Sequence, residues 1–196
     1  MKKRIFDICC VIPSLILFVP IFILIALWIK LDSHGPIFFL QTRIGQFGKP
    51  FKIIKFRTMY VNNEGPKLTI GYDTRITKCG YFLRQYKLDE LPQLINVLRG
   101  EMSIVGPRPE VPEYVELYPD GIKEYVLSVP VGITDYASIE FRNESEMLAT
   151  SQRPEADYVE KILPLKLAYH QQYVRDQSVY LDIRLIFRTL KRILFS

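Results

Sequence analysis

The 196-residue chain has little of what builds covalent staples or protein metal cages. Its three cysteines, Cys9, Cys10 and Cys79, make no disulfide framework; an odd count with an adjacent pair reads as reduced thiols. Two histidines and no Cys-x-x-Cys pair speak against a zinc site. No internal repeat and no low-complexity tract is present. Charge is missing altogether from Ile8 to Ile29, a run of 22 residues and long enough to cross a bilayer as one helix. A small-residue cleavage site is missing too: after Ala26 the run ends in Trp28-Ile29-Lys30, which argues against a cleaved signal peptide. What is there otherwise is ordinary for one globular domain, with 48% hydrophobic and 24% charged residues. The formal net charge of +5 points to an anionic partner: nucleic acid, a membrane surface or a phosphorylated substrate.

Two features of the apolar run count against a plain single-pass anchor. Pro13 and Pro20 fall inside it, and Pro20, near its middle, removes a backbone hydrogen bond and favours a kink. Basic residues also flank both ends: Lys2, Lys3 and Arg4 before, Lys30, Arg43 and Lys49 after. The positive-inside rule then puts both ends in the cytoplasm. A helix that enters the bilayer, bends at Pro20 and leaves on the same side meets both conditions.

The stretch from Lys87 to Glu110 carries the chemistry. Leu88 and Leu91 bracket Asp89 and Glu90, and Pro92 follows, which places the two carboxylates at a helix N-terminus. An apolar stripe, Leu91, Leu94, Ile95 and Leu98, carries that helix to a stop at Gly100. The positive end of a helix dipole favours ionised carboxylates, the form that a metal ligand or an oxygen nucleophile requires. Downstream, Arg108 sits between Pro107 and Pro109, whose φ angles are locked, so its guanidinium gives up little entropy on binding an oxyanion. An acidic cap followed by a surface loop is the bland alternative for Asp89 and Glu90 alone. Carboxylates and arginine together favour a phosphate and metal site.

Around this centre, 37–40 and 51–56 read as short strands joined by a turn at Gly45, Gly48 and Pro50. Lys52 and Lys55 fall on opposite faces of the second strand, so only one can face a site. Residues 62–66 read as a loop, and Thr74 as the cap of a helix to Tyr86 with Ile76, Cys79, Phe82 and Leu83 inward. Short helices are expected over 111–118 and 121–127, and a loop over 131–134. Residues 154–175 have helical spacing, with Tyr158, Ile162, Leu165, Ala168 and Tyr169 on one side and Pro164 as a misfit. From Ser178, Val179, Ile183, Ile186, Phe187, Leu190, Ile193 and Leu194 form one stripe, opposite Arg184, Arg188, Lys191 and Arg192. Such a basic amphipathic helix faces either a core or a membrane surface, and the apolar run at the other end favours the membrane.

Four ordered blocks carry a family resemblance: Lys3-Arg4-Ile5-Phe6-Asp7, Lys55-Phe56-Arg57-Thr58-Met59, Leu88-Asp89-Glu90-Leu91-Pro92-Gln93-Leu94 and Val105-Gly106-Pro107-Arg108-Pro109. Nearly the whole chain resembles the bacterial sugar transferases, the small monotopic polyprenyl-phosphate phosphoglycosyl transferases. The resemblance implies a Mg²⁺-dependent enzyme on the cytoplasmic face of the bacterial inner membrane. Its substrates would be a UDP-sugar and polyprenyl phosphate, and its partner the lipid bilayer. It also implies that Asp89 is nucleophile and metal ligand with Glu90 beside it, and that Lys55, Arg84, Arg108 and Arg142 contact phosphate. Three blocks depart from the family pattern: Val19-Pro20 replaces a Ser-Pro pair at the kink, Asp135 ends a Gly-Ile-Thr segment where the family has glycine, and Ser138 to Arg142 lacks the usual Gln-x-x-Gly-Arg.

The expected fold is α+β and mostly helical, with a re-entrant helix-break-helix over 1–33, a catalytic domain with a small β element over 34–177, and an interfacial amphipathic helix over 178–196. A nucleic-acid binder leaves the apolar run and the Asp-Glu pair unused. A non-catalytic membrane scaffold leaves Arg108 unexplained, and a membrane phosphatase needs no lipid acceptor. The sequence is compatible with a homodimer and does not fix the oligomeric state.

Overall fold

Helix α1, Lys2–Asp32, is the beam along which the rest of the chain is laid. Its 31 residues span roughly 46 Å at the α-helical rise. In this computed structural model, which describes residues 2–61, 70–71 and 73–195, α1 runs as one helix through Pro13 and Pro20. The break expected at Pro20 is therefore absent. Each proline removes a single intrahelical bond, whereas buried anchors lie on either side of Pro20: Val11 before it, Ile25 and Ile29 after it. Beside Pro13, the Ser14 hydroxyl donates to the Cys10 carbonyl at 2.7 Å, a bond within the helix.

Both ends of α1 are tied to the same body. At the start, Lys3 Nζ lies 2.6 Å from Asp182, and Arg4 donates to the carbonyls of Val97 and Leu98. Asp7, 2% exposed, accepts from the Ser103 hydroxyl at 2.8 Å and from the Ile104 N–H at 3.1 Å. At the finish, Cys79 N–H donates to Asp32 at 3.0 Å, and Arg57 donates to the carbonyls of Ser33 and His34. Between the ties the helix keeps a broad apolar face uncovered, with Ile16 70%, Leu17 71% and Leu24 66% exposed.

Strands β1 (Phe38–Ile44) and β2 (Pro50–Phe56) pair antiparallel from Phe38↔Phe56 to Ile44↔Pro50, across a tight turn at Gln46–Gly48. Helix α2, Lys78–Gln85, is capped by Thr77, whose hydroxyl accepts from Gly80 N–H at 2.9 Å; Thr74 lies outside it. Cys79 and Leu83 point inward as expected, while Phe82 is exposed. The loop expected at 62–66 lies outside the described residues.

A 3₁₀ turn, Leu88–Glu90, precedes α3, Gln93–Arg99, which ends on Gly100 at φ +83°. Asp89 and Glu90 thus sit in a turn of their own before the helix rather than in its first turn. The buried α3 residues are Gln93, Leu94, Asn96 and Val97; Leu98 is exposed. Strand β3, Ser103–Val105, pairs parallel with β4, Gly132–Thr134, where the local pattern reads as loop. This pairing is very close: a Cβ on Gly106 would meet Pro130 O at 2.2 Å, and one on Gly132 would meet Gly106 N at 2.1 Å.

Short helices α4 (Pro112–Val115), α5 (Ile122–Val126), α6 (Tyr136–Glu140), α7 (Glu144–Ala149) and α8 (Pro154–Asp157) follow. A π-turn over Tyr158–Ile162 leads into α9, Leu163–Asp176, with Pro164 harmless in its first turn. The extra residue in that turn shifts the inward face. Leu163, Leu167, His170 and Tyr173 are buried along with Tyr158 and Ile162, whereas the expected Leu165 is 55% exposed.

Helix α10, Val179–Leu194, is capped by Ser178 and buries Leu181, Asp182 and Leu185. Of its other apolar side chains, Val179, Ile186 and Ile193 are half-buried, and Ile183, Phe187, Leu190 and Leu194 stay exposed. Apolar clusters link these parts: Val11 of α1 packs with Ile53, Leu94, Val97, Met102 and Val131, and Ile25 and Ile29 with Phe56, Cys79 and Leu83. The architecture is α+β and mostly helical, as the sequence implies.

Removing the Asp7 carboxylate leaves the Ser103 hydroxyl and the Ile104 N–H buried without a partner. Asp7→Ala is expected to cost about 1–3 kcal/mol, read as a lowered unfolding midpoint of the detergent-solubilised protein. An unchanged midpoint would mean that α1 is not held at this point.

Candidate functional site

The site begins with a bend in the backbone. Lys87 adopts φ 55°, and the chain turns from α2 into the 3₁₀ turn that carries Asp89 and Glu90. Both carboxylates are 8% exposed, yet they are held very differently. Glu90 is clamped: Lys55 Nζ donates to Oε1 at 2.7 Å, and the Arg108 guanidinium donates to Oε1 at 2.5 Å and Oε2 at 3.3 Å. Asp89 Oδ1 is buried and has no hydrogen-bond partner among the described residues.

The two carboxyl groups therefore titrate in opposite directions. Burial pushes Glu90 up, but Arg108 and Lys55 outweigh it and hold its carboxyl well below the usual range. Burial, reinforced by the negative charge of Glu90, raises Asp89 against the pull of Lys55, Lys87 and Arg84. Dipole stabilisation from a helix start, expected from the sequence, does not decide the balance here; desolvation does. Lys55 is lowered by burial, with Glu90 opposing the shift.

Strand alternation sends Lys55 into the cleft and leaves Lys52 exposed. Arg84, near the end of α2, donates from Nε to the Thr58 hydroxyl at 2.9 Å and contributes its charge to Asp89. Arg108 keeps donors beyond those given to Glu90, and its side chain is 28% exposed. Arg142 lines the same cleft, and its guanidinium donates to the carbonyls of Arg192 and Gln85. It thereby links the ends of α10 and α2. The cleft, of about 1810 Å³, also takes its walls from Pro13, Ser14 and Phe18 of α1 and from Ile186, Leu190 and Ile193 of α10.

Among the described residues, no three His, Cys, Asp or Glu side chains form a metal cage. A Mg²⁺ ion commonly takes one or two carboxylates and draws its other ligands from phosphate and water. The unpartnered, buried Asp89 oxygen fits that role, while Glu90, with both oxygens occupied, does not.

Sequence reasoning passed over a second ionic group in the same cleft. Glu110 accepts from Tyr158 Oη at 2.9 Å and Lys166 Nζ at 3.1 Å, with Arg43 NH1 3.4 Å from its other oxygen. Lys166 also lies 2.9 Å from Glu144. The signal was present: Lys166 falls four residues after Ile162 and eight after Tyr158, on the buried side of a helix. Burial would raise the Glu110 carboxyl, but Lys166 and Arg43 prevail and bring it down to about 2.

A family model for bacterial sugar transferases matches residues 1–196. The chain is 42% identical over 192 residues to the UDP-glucose:undecaprenyl-phosphate glucose-1-phosphate transferase of Escherichia coli (strain K12), covering 96% of this chain and 39% of that protein. It is 38% identical over 204 residues to an undecaprenyl-phosphate glucose phosphotransferase of Komagataeibacter xylinus, covering 100% of this chain and 36% of that one. A UDP-glucose:undecaprenyl-phosphate glucose-1-phosphate transferase of Caulobacter vibrioides (strain ATCC 19089 / CIP 103742 / CB 15) is 36% identical over 199 residues, which is 99% of this chain and 70% of that protein. The chain thus spans less than half the length of the first two relatives.

The Glu110 group makes stability depend on acid. Its folded pKa lies below the ordinary 4.5, so its ionised form stabilises the fold above that value. That contribution is lost as the pH falls from about 4.5 towards about 2. Chemical unfolding across this window is expected to show a loss of up to roughly 3 kcal/mol. Glu110→Gln should be less stable at neutral pH and flatter over the window; an unchanged slope would assign the acid loss to other carboxylates.

Proposed function

The chain belongs to the bacterial sugar transferase family, and on that premise we propose that it moves a sugar 1-phosphate from a UDP-sugar to undecaprenyl (polyprenyl) phosphate, releasing UMP. This would be a first membrane step in building a glycoconjugate. The names of its relatives support the substrates. The observation that carries the reading is the unpartnered Asp89 oxygen, buried in a cleft walled by Lys55, Arg84 and Arg108.

In the first half-reaction an Asp89 oxygen forms a bond to the β-phosphorus of the donor. The bond from that phosphorus to the bridging oxygen breaks, and UMP leaves with that oxygen. In the second half, an oxygen of the lipid phosphate bonds to the same phosphorus, the Asp89–phosphorus bond breaks and the carboxylate is regenerated. Glu90 holds Lys55 and Arg108 in place at short range, so that both cations are ready for phosphate oxygens without reorganisation. Arg84 adds positive charge on the Asp89 side. Mg²⁺, held by Asp89 and substrate oxygens, would neutralise diphosphate charge and so ease approach of a carboxylate.

The uncovered faces of α1 and α10 suit a membrane, and the ties at both ends of α1 keep its two ends with one body. Together with basic flanks on both sides of the apolar run, this supports a chain seated on the cytoplasmic face of the inner membrane, immersed along α1 and resting on α10. In a cysteine-free background, single cysteines at Lys2 and Lys49 should then both resist an impermeant thiol reagent in intact cells. Labelling of one alone would mean a spanning helix.

The chemical test omits the lipid. Enzyme, Mg²⁺ and UDP-sugar should give up to one equivalent of UMP and a phospho-sugar adduct on Asp89. Asp89→Asn should abolish both, and Glu90→Gln should slow turnover severely, on the order of 10²-fold or more. No UMP and no adduct until polyprenyl phosphate is added would favour direct transfer in a ternary complex.

A further inference from the structure

The walls of the cleft differ in character. Phe18, Ile104, Ile133 and Ile186 line one part and belong to clusters built on α1 and α10. Tyr114 and Tyr158 line another, and they belong to a cluster that includes no residue of either helix. Here the lining turns polar, with Tyr114, Glu144 and Lys166 together.

The Tyr114 hydroxyl is the unexplained group. Tyr114 is 7% exposed, its ring lies 4.8 Å from that of Tyr158, and its Oη has no hydrogen-bond partner among the described residues. Burial, with Glu155 and Glu110 adding to it, pushes its pKa up to about 12, so the group stays protonated and able to donate. A buried hydroxyl without a partner costs free energy unless a ligand supplies the bond. Beside it, Glu144, with its side chain 24% exposed, offers carboxylate oxygens from the first turn of α7. Lys166, almost fully buried at 4% exposure, is aligned by Glu110, Tyr158 and Glu144.

This group adjoins the phosphate end of the site. Arg108 is held chiefly by Glu90, with smaller contributions from the charges of Glu110 and Glu144. Glu110 follows it by two residues, and Lys166 bridges Glu110 and Glu144. A donor whose β-phosphate lies at Asp89 and Arg108 has its sugar attached directly to that phosphate. An apolar lipid chain has no use for three polar groups, whereas a hexose presents hydroxyls that both donate and accept.

We propose that Tyr114 and Glu144, with Lys166 behind them, bind the sugar hydroxyls of the nucleotide-sugar donor and determine which sugar the protein accepts. The inference rests on the transferase reading above and adds the residues that discriminate. Sites that hydrogen-bond a substrate hydroxyl reject donors that misplace it far better than apolar pockets do, because their own polar groups are then left unpaired.

The test compares UDP-glucose, UDP-galactose and their N-acetylamino counterparts as donors for UMP release with polyprenyl phosphate. Wild type, Tyr114→Phe and Glu144→Gln are measured side by side. Tyr114→Phe removes a buried hydroxyl that has no partner among the described residues, so its unfolding midpoint should equal or exceed that of wild type. The ratio of kcat/KM between the best donor and the next should fall about tenfold in either variant, mainly through KM. Unchanged ratios, including an equal loss with every donor, would overturn the proposal and leave the transferase reading intact. Failure of the wild type to release UMP from any nucleotide sugar would overturn that reading, and the proposal with it.

Discussion

One buried carboxylate organises the site. Glu90 draws Lys55 from β2 and Arg108 from the Gly106–Pro109 loop onto one turn of chain, so three distant segments meet at two oxygens. Such a cluster is a poor source of net stability, because removing the charges from water offsets most of their attraction. Its value is positional. With Glu90 satisfied, its neighbour Asp89 is left with an oxygen that has no partner among the described residues. Two adjacent carboxylates are thereby held differently, one bound by two cationic side chains and the other left with a free oxygen among the described residues.

Much of this arrangement could be read from the residues alone. The hairpin, the end of α3 at Gly100 and the inward turn of Lys55 follow local rules of turn chemistry and strand alternation. Other elements escaped for physical reasons. Strand β4 pairs parallel with a segment some thirty residues earlier, and parallel pairing leaves no mark in a stretch as short as Gly132–Thr134. The π-turn at Tyr158–Ile162 inserts a residue that no regular period anticipates, and the inward face of α9 shifts with it. Lys166 was overlooked because a lysine is normally read as surface; its burial depends on Glu110 and Glu144, which are distant in sequence. No interruption of α1 occurs at Pro20, where buried anchors on both sides, Val11 before and Ile25 and Ile29 after, favour continued helix.

Helix α1 joins the membrane-like surface to the chemistry. Its exposed apolar face and the wall it lends to the cleft are parts of one rod. Helix α10 repeats the arrangement with Leu181 and Leu185 in the core, Ile186 and Leu190 along the cleft and Phe187 outside. Arg142 then fastens the end of α10 to the end of α2, close to the segment that carries Asp89. The cleft is thus bounded by elements that also carry exposed apolar faces.

The backbone contact between Gly106 and Gly132 limits which residues the two walls of the cleft can accept. Main chain touches main chain there, with no room for a side chain on either residue. The loop that presents Arg108 is therefore seated by two glycines rather than by the packing of larger residues. Around Tyr114 and Glu144 the opposite holds, since the chemistry of that wall resides in exchangeable side chains on short helices. Steric room for substitution thus differs between the two walls. A change of side chain at Tyr114 or Glu144 can therefore remake that wall without moving the backbone that seats Arg108.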